Sequence, residues 1–251
     1  MQKKIFILGL AIIGILLIYI GCDDNSKSLG NFGIDIATII PEGNNTYSLQ
    51  LDNGKKLWPA AKAVNFTPSE HQRVLLNYTI LSDQKDGFDH YIKVNDIWGI
   101  LTKDVIELNA QNEQSIGDDP IKTNSIWIGG DYLNASFMFN YGGKQPHAIN
   151  LVRNTLAIDS DKNVIELEFR HNSFESQSDK LYEGFVCFDL RPLRVMDNDS
   201  VKISVKVKEW TDKTNSKTKE TRYDVVYRYN QPALKARTEI PIPVTTSNEY
   251  Y

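Results

Sequence analysis

VKISVKVKEW, residues 201–210, sets Val201, Ile203, Val205 and Val207 in strict alternation with Lys202, Ser204, Lys206 and Lys208. Successive side chains of a β-strand point to opposite faces, so this period of two places one set against a core and the other toward water. A sheet with one apolar face needs a second layer to cover it. Outward from this strand, apolar and polar residues alternate at 124–128, 132–140, 147–153, 164–171, 181–190 and 221–229, with turn-forming residues between most of them. Seven strands in roughly 115 residues is the spacing of an immunoglobulin-like β-sandwich.

The first half of the chain shows the same period in a smaller unit. Tyr47, Leu49 and Leu51 alternate with polar neighbours, and Asp52-Asn53-Gly54 then supplies a tight turn before the chain returns over 55–59. Asn-Gly tolerates the positive φ of such turns, so this is a hairpin. Val74, Leu76, Tyr78 and Ile80 form a long strand, residues 35–40 another, and 92–101 a further one. Five strands in roughly 75 residues fit a small barrel of OB type. A short helical turn is expected at 103–108, and the polar, aperiodic stretch NAQNEQSIGDD (109–119) is the expected boundary. The all-β chain is thus read as an OB-type barrel over 34–112 and a sandwich over 113–230. Pro232, Pro241 and Pro243 mark 231–251 as a tail, because proline cannot donate to a sheet ladder.

Ahead of the barrel, Lys3 and Lys4 precede the apolar run IFILGLAIIGILLIYIG, which ends at Cys22. A basic start, an apolar core and a small residue before the end are the layout of a secretory signal peptide. Gly21-Cys22 resembles the end of a bacterial lipobox, which makes residues 1–21 a lipoprotein signal and Cys22 the site of lipid attachment. Tyr19 and Ile20 depart from that pattern, and an uncleaved anchor or an ordinary signal peptide are the alternatives. Residues 22–33, polar and glycine-containing, read as a tether.

Composition narrows the function classes. Removal of residues 1–21 leaves 230 of 251 residues and moves the net charge from −4 to −6. Residues 35–112 alone carry ten acidic and seven basic side chains. A nucleic-acid groove needs the opposite sign, so no nucleic-acid partner is expected. Cys22 and Cys187 are the only cysteines, so stability has to come from burial rather than from a disulfide framework.

Catalytic patterns are scarce. The sequence contains no G-x-S-x-G elbow, no H-E-x-x-H helix, no phosphate-binding loop and no dinucleotide fingerprint. No catalytic residue, metal or cofactor is assigned. His90, His147 and His171 fall at strand ends, where a backbone partner or solvent is the expected environment; His71 is the fourth histidine. Asp159, Asp161 and Asn163 open like a calcium loop, but Val164 and Arg170 stand where that loop needs Gly and Glu. Asp83, Asp86 and Asp89 around Gly87 are read as a solvated loop. Cys187, in GFVCFDL, is expected to be a buried structural thiol. Tyr47, Trp58, Tyr78, Tyr91 and Trp98 are the residues available to stack on a sugar ring. Glu166, Glu168, Glu183 and Asp189 are the carboxylates a glycan-processing enzyme would draw on, and their alternation with Ile165, Leu167 and Phe169 places the two at 166 and 168 on a wet face.

The blocks YSLQLDNGKKLWP, RVLLNYTILSD, VNDIWGILTKDVI, GDDPI (117–121), HAINLV, IELEFRHN and GFVCFDL, in this order behind a lipobox-like start, resemble the NigD-like lipoproteins. The resemblance runs from about residue 34 to 229 and implies an N-terminal OB domain and a C-terminal β-sandwich. It carries no activity and no site residues. The expected protein is a non-enzymatic, lipid-anchored envelope protein of a Gram-negative bacterium, a binding or scaffolding module at the outer membrane or cell surface. Its expected partners are the membrane, through its anchor, and a protein or a glycan. Two rivals stand beside this reading: bacteriocin self-protection, which rests on the family's name, and glycan binding or processing. A groove near GDDPI is the expected place for a ligand.

Overall fold

The computed structural model describes residues 32–44, 46–142, 145–156, 163–176, 178, 180–211 and 217–229. Cys22, the apolar run before it, Asp159, Asp161 and the 231–251 tail lie outside these residues. Among the described residues no helix is long and apolar enough to cross a membrane.

Five strands form the barrel: β1 (Phe32–Gly43), β2 (Thr46–Leu51), β3 (Lys56–Lys62), β4 (Arg73–Ser82) and β5 (His90–Gly99). They close in the order β1-β2-β3-β5-β4, with β1 antiparallel to both β2 and β4 and with β3 parallel to β5. Ala37 and Thr38 pair on both sides, so β1 is the strand that shuts the cylinder. The expected hairpin is present. Gly54 has φ 83°, and its amide donates to the Leu51 carbonyl at 2.8 Å. Leu49, Leu57, Leu76, Ile92 and Val94 fill the interior, as the alternation requires.

The sandwich has nine strands rather than seven. β6 (Leu101–Asp104) and β7 (Ile106–Leu108) arise from the stretch expected to be a helical turn. β8 (Lys122–Gly129), β9 (Tyr132–Asn140), β10 (Ala148–Asn154), β11 (Val164–Asn172), β12 (Leu181–Asp189), β13 (Ser200–Trp210) and β14 (Thr218–Arg228) follow the sequence reading closely. One sheet runs β14-β13-β11-β10-β7 and the other β6-β12-β9-β8. β6 pairs parallel with β12 and β7 parallel with β10, so the chain changes sheet at Val105, which packs against the core. Unpaired sheet edges outcompete a weak local helical preference, and this reverses the expectation for 103–108. The chain therefore passes from barrel to sandwich at Ile100, ahead of the expected polar boundary, and the only α-helix among the described residues is α1 (Glu113–Ile116). Phe32 and Gly33, read as tether, already belong to β1.

The core between the sheets holds Phe137, Phe169 and Phe188 in edge-to-face contacts, with Leu167, Ile203, Val205 and Val207 beneath. Aromatic pairs of this geometry add about 0.5–1.5 kcal/mol each beyond their buried area. The outer face of the β10–β14 sheet is drier than alternation implies. Glu168, Arg170 and Ser204 are all buried. Lys206 reaches Glu168 at 2.6 Å and Arg170 reaches Asp118 at 3.0 Å, so charge pairing closes over the middle of this face, while Lys202, Arg222 and Asp224 toward its edge stay exposed.

Candidate binding groove between barrel and sandwich

A third apolar cluster joins the two units. Ile36, Leu75 and Ile100 of the barrel pack on Tyr132, Phe185 and Cys187 of the sandwich. Tyr132 stands on β9 and the other two on one face of β12.

At the centre of this junction lies Arg73, only 1% exposed. Its guanidinium meets Asp52 at 2.6 and 2.8 Å, the Thr38 hydroxyl at 2.9 Å and the Asn134 carbonyl oxygen at 3.3 Å, and it lies 4.5 Å over the Tyr132 ring. Asn134 on β9 closes the circuit: its amide donates to Asp52 at 3.1 Å and its carbonyl accepts from the Cys187 thiol at 3.0 Å. Burial pushes the Cys187 thiol up to about 11 although Arg73 pulls the other way. The thiol is buried, as its place in GFVCFDL led us to expect. Gly129 makes the approach possible, because a Cβ there would sit 1.9 Å from the Asp52 carboxylate.

Beside Arg73 a groove of about 470 Å³ opens between the units. Ser69, Glu70, His71 and Gln72 form one wall, residues 100–104 the floor, and Tyr132, Asp189 and Arg191 the other wall. His71 adopts a left-handed backbone (φ 56°), and its carbonyl accepts from the Tyr132 hydroxyl at 3.4 Å. Asp189 takes the Arg191 Nε at 2.9 Å and its Nη2 at 2.5 Å. Burial alone would raise the Asp189 pKa, but the Arg191 hydrogen bonds prevail and hold it below the usual carboxylate range. Lys103 turns its Nζ to the Ile149 carbonyl and to Asn150, both at 2.7 Å, and burial lowers its pKa. The groove therefore offers a guanidinium, carboxylates, an imidazole and amide groups in a short span. That suits hydrogen bonding to a polar ligand.

The other candidates separate. GDDPI lies along the sandwich and does not line this groove: Asp118 pairs with Arg170 and Lys208, Asp119 accepts from the Ser173 amide and hydroxyl, and Ile121 bridges to Glu209. Of the carboxylates, Glu166 lies 3.7 Å from Arg222, and Glu168 is bound by Arg170, Lys206 and Asn154. Burial opposes ionisation of Glu168, but those partners keep its pKa lowered. Glu183 and Asp189 share a face of β12 six residues apart, roughly 20 Å by strand rise. Among the described residues no three acidic, histidine or cysteine side chains gather as metal ligands. Asp86 accepts from the Tyr91 hydroxyl, Asp89 caps the Lys56 amide and Asp83 approaches His90.

Of the aromatic residues, Tyr47 and Tyr78 are core, and Trp98 is 39% exposed. Trp58 and Tyr91 gather with Phe88 on the barrel surface, at ring distances of 5.1–6.5 Å. His147 and His171 leave solvent altogether: both are buried, with Nδ1 and Nε2 2.9 Å apart. The register pairing Ile149 with His171 puts His147 on the same side of the sheet.

An OB barrel fixed to a nine-stranded sandwich through a buried ion pair, with a polar groove at the seam, defines a two-domain all-β protein. The chain belongs to the NigD-like family, its residues 36–100 matching the NigD-like N-terminal OB domain and 104–223 the NigD-like C-terminal beta sandwich domain. Among solved structures it is similar to one from Parabacteroides distasonis named as toxin-related, at 38% identity over 79% of this chain and 94% of that one, with a TM-score of 0.66. It is also similar to a protein of unknown function from Bacteroides vulgatus, at 28% identity over 84% and 96%, with a TM-score of 0.69. A NigD-like immunity protein from Bacteroides caccae, 18% identical over 76% and 96% with a TM-score of 0.61, shares the fold. No curated protein sequence matches.

Proposed function

We propose that the protein is a non-enzymatic binding module of the cell envelope, lipid-anchored at Cys22, that holds a protein or glycan partner in the groove between barrel and sandwich. The observation that carries this reading is the groove itself. Its walls come from both units, and the Arg73–Asp52 pair beside it keeps them from moving apart, so the site is preformed and its ordering cost is already met by folding. The carboxylate on its far wall, Asp189, is engaged by Arg191, which suits recognition better than proton transfer at that residue. The test is retention of envelope polysaccharide and envelope protein fractions by immobilised protein. Binding that falls when Arg191 is changed to Glu supports the reading. Turnover of a glycan, abolished by changing one polar residue, sinks it.

A second reading draws on the relative at 38% identity that is named as toxin-related: the groove intercepts a toxin at the cell surface. Deleting the gene and finding unchanged toxin sensitivity removes this reading and leaves the first intact.

A further inference from the structure

β14 is the outermost strand of the five-stranded sheet and pairs, among the described residues, only with β13. Its eleven residues keep an unbroken register from Thr218 to Arg228, with neither proline nor bulge. Edges this long and regular are templates for another strand, and natural proteins usually interrupt them. The residues pointing to the solvent face alternate in sign along the edge: Glu220, Arg222, Asp224. Arg222 is half exposed and lies 3.7 Å from Glu166; Asp224 accepts from the Ser204 hydroxyl at 2.6 Å.

We propose that β14 is a self-pairing edge, joining two copies of this chain antiparallel about a two-fold axis at Tyr223. Strands added antiparallel keep directly opposed residues on one face, so only registers pairing even with even numbers continue both faces of the sandwich. Centring on Arg222 sets that arginine against itself and Glu220 against Asp224. Centring on Asp224 sets two aspartates face to face. Centring on Tyr223 places Arg222 against Asp224 of the second copy, and by symmetry Asp224 against its Arg222, so two ion pairs form for one register. An isologous contact of this kind closes on itself and does not propagate into fibres. The product is a continuous ten-stranded sheet built from two five-stranded ones.

The test uses the full chain in detergent micelles, with mass measured by sedimentation and folding by thermal melting, for wild type, Arg222→Asp, Asp224→Arg and the double exchange. Each single change puts like charges opposite each other twice, so dimer affinity falls by about tenfold or more. The double change restores opposite signs and recovers the dimer, with melting temperatures close to wild type throughout. A monomeric wild type overturns the proposal. So does a dimer indifferent to the single changes, because that contact then lies elsewhere or is made by the micelle.

Discussion

Arg73 and Asp52 form a buried ion pair, at 2.6 Å, that belongs to the barrel by sequence and to the seam by position, since both residues also bind Asn134 of the sandwich. Two charges taken out of water are tolerated best when their remaining hydrogen-bonding groups are also met; Thr38, Asn134 and the Tyr132 ring supply contacts to the guanidinium, while Arg73 Nε is buried without a hydrogen-bond partner and Asp52 keeps a partly exposed edge. The OB unit and the sandwich are thereby held in one arrangement.

Removing one partner leaves the other charge buried and uncompensated. Arg73→Ala is expected to lower stability by about 3 kcal/mol or more, read from urea denaturation, and to loosen the barrel against the sandwich. Gly129→Ala pushes into the same carboxylate and should lose stability as well. A loss under about 1 kcal/mol for Arg73→Ala, within the range of an exposed pair, contradicts the role given to it.

The His147–His171 pair sets an acid limit. Burial first, then the neighbouring imidazole, lowers the His171 pKa to about 4 against Asp119, and burial lowers that of His147. His171 therefore stays neutral in the folded protein down to about pH 4, and His147 resists protonation in the same direction, while the unfolded chain takes up protons near pH 6.5. The unfolded state binds more protons in this window, so stability falls as pH drops from about 6.5 toward 4, by up to about 3 kcal/mol for His171. His171→Phe should flatten the melting-temperature profile over that range, and an unchanged slope refutes this assignment.

Cys187 should resist alkylation at pH 8 in the folded protein and react on unfolding, since its thiol is buried and pushed up to about 11. A Cys22→Ala background isolates its signal in a thiol titration. Rapid labelling of the native protein contradicts the packing described at the seam.

Intact-mass analysis of detergent-extracted protein tests the anchor. Loss of residues 1–21 and added acyl mass on wild type, both absent from Cys22→Ala, are the expected result. A retained signal without acyl mass would place the body on an uncleaved segment instead.

Alternation made the strands legible because it follows from pleat geometry, which any strand with one covered face obeys; Val201 to Trp210 and Tyr132 to Asn140 were readable for that reason. Residues 103–108 were not, because their conformation is imposed by two sheet edges formed far away in sequence. The seam escaped the sequence for a similar reason. Asp52 reads as a turn residue, Arg73 stands just ahead of the alternation that begins at Val74, and their common partner Asn134 lies 82 and 61 residues away. Glu168 read as wet because alternation reports which face a side chain takes and not whether cations close over that face.

The claim that the groove is where a partner is held is tested most directly by placing a photo-crosslinking residue at Glu70, in the groove wall, and at Glu113 on α1 as a control, in cells producing the protein. The account predicts an adduct, protein or glycan, from position 70 alone, lost when Arg191 is changed to Glu. Adducts of equal yield from both positions, or none from position 70 while position 113 reacts, would contradict it.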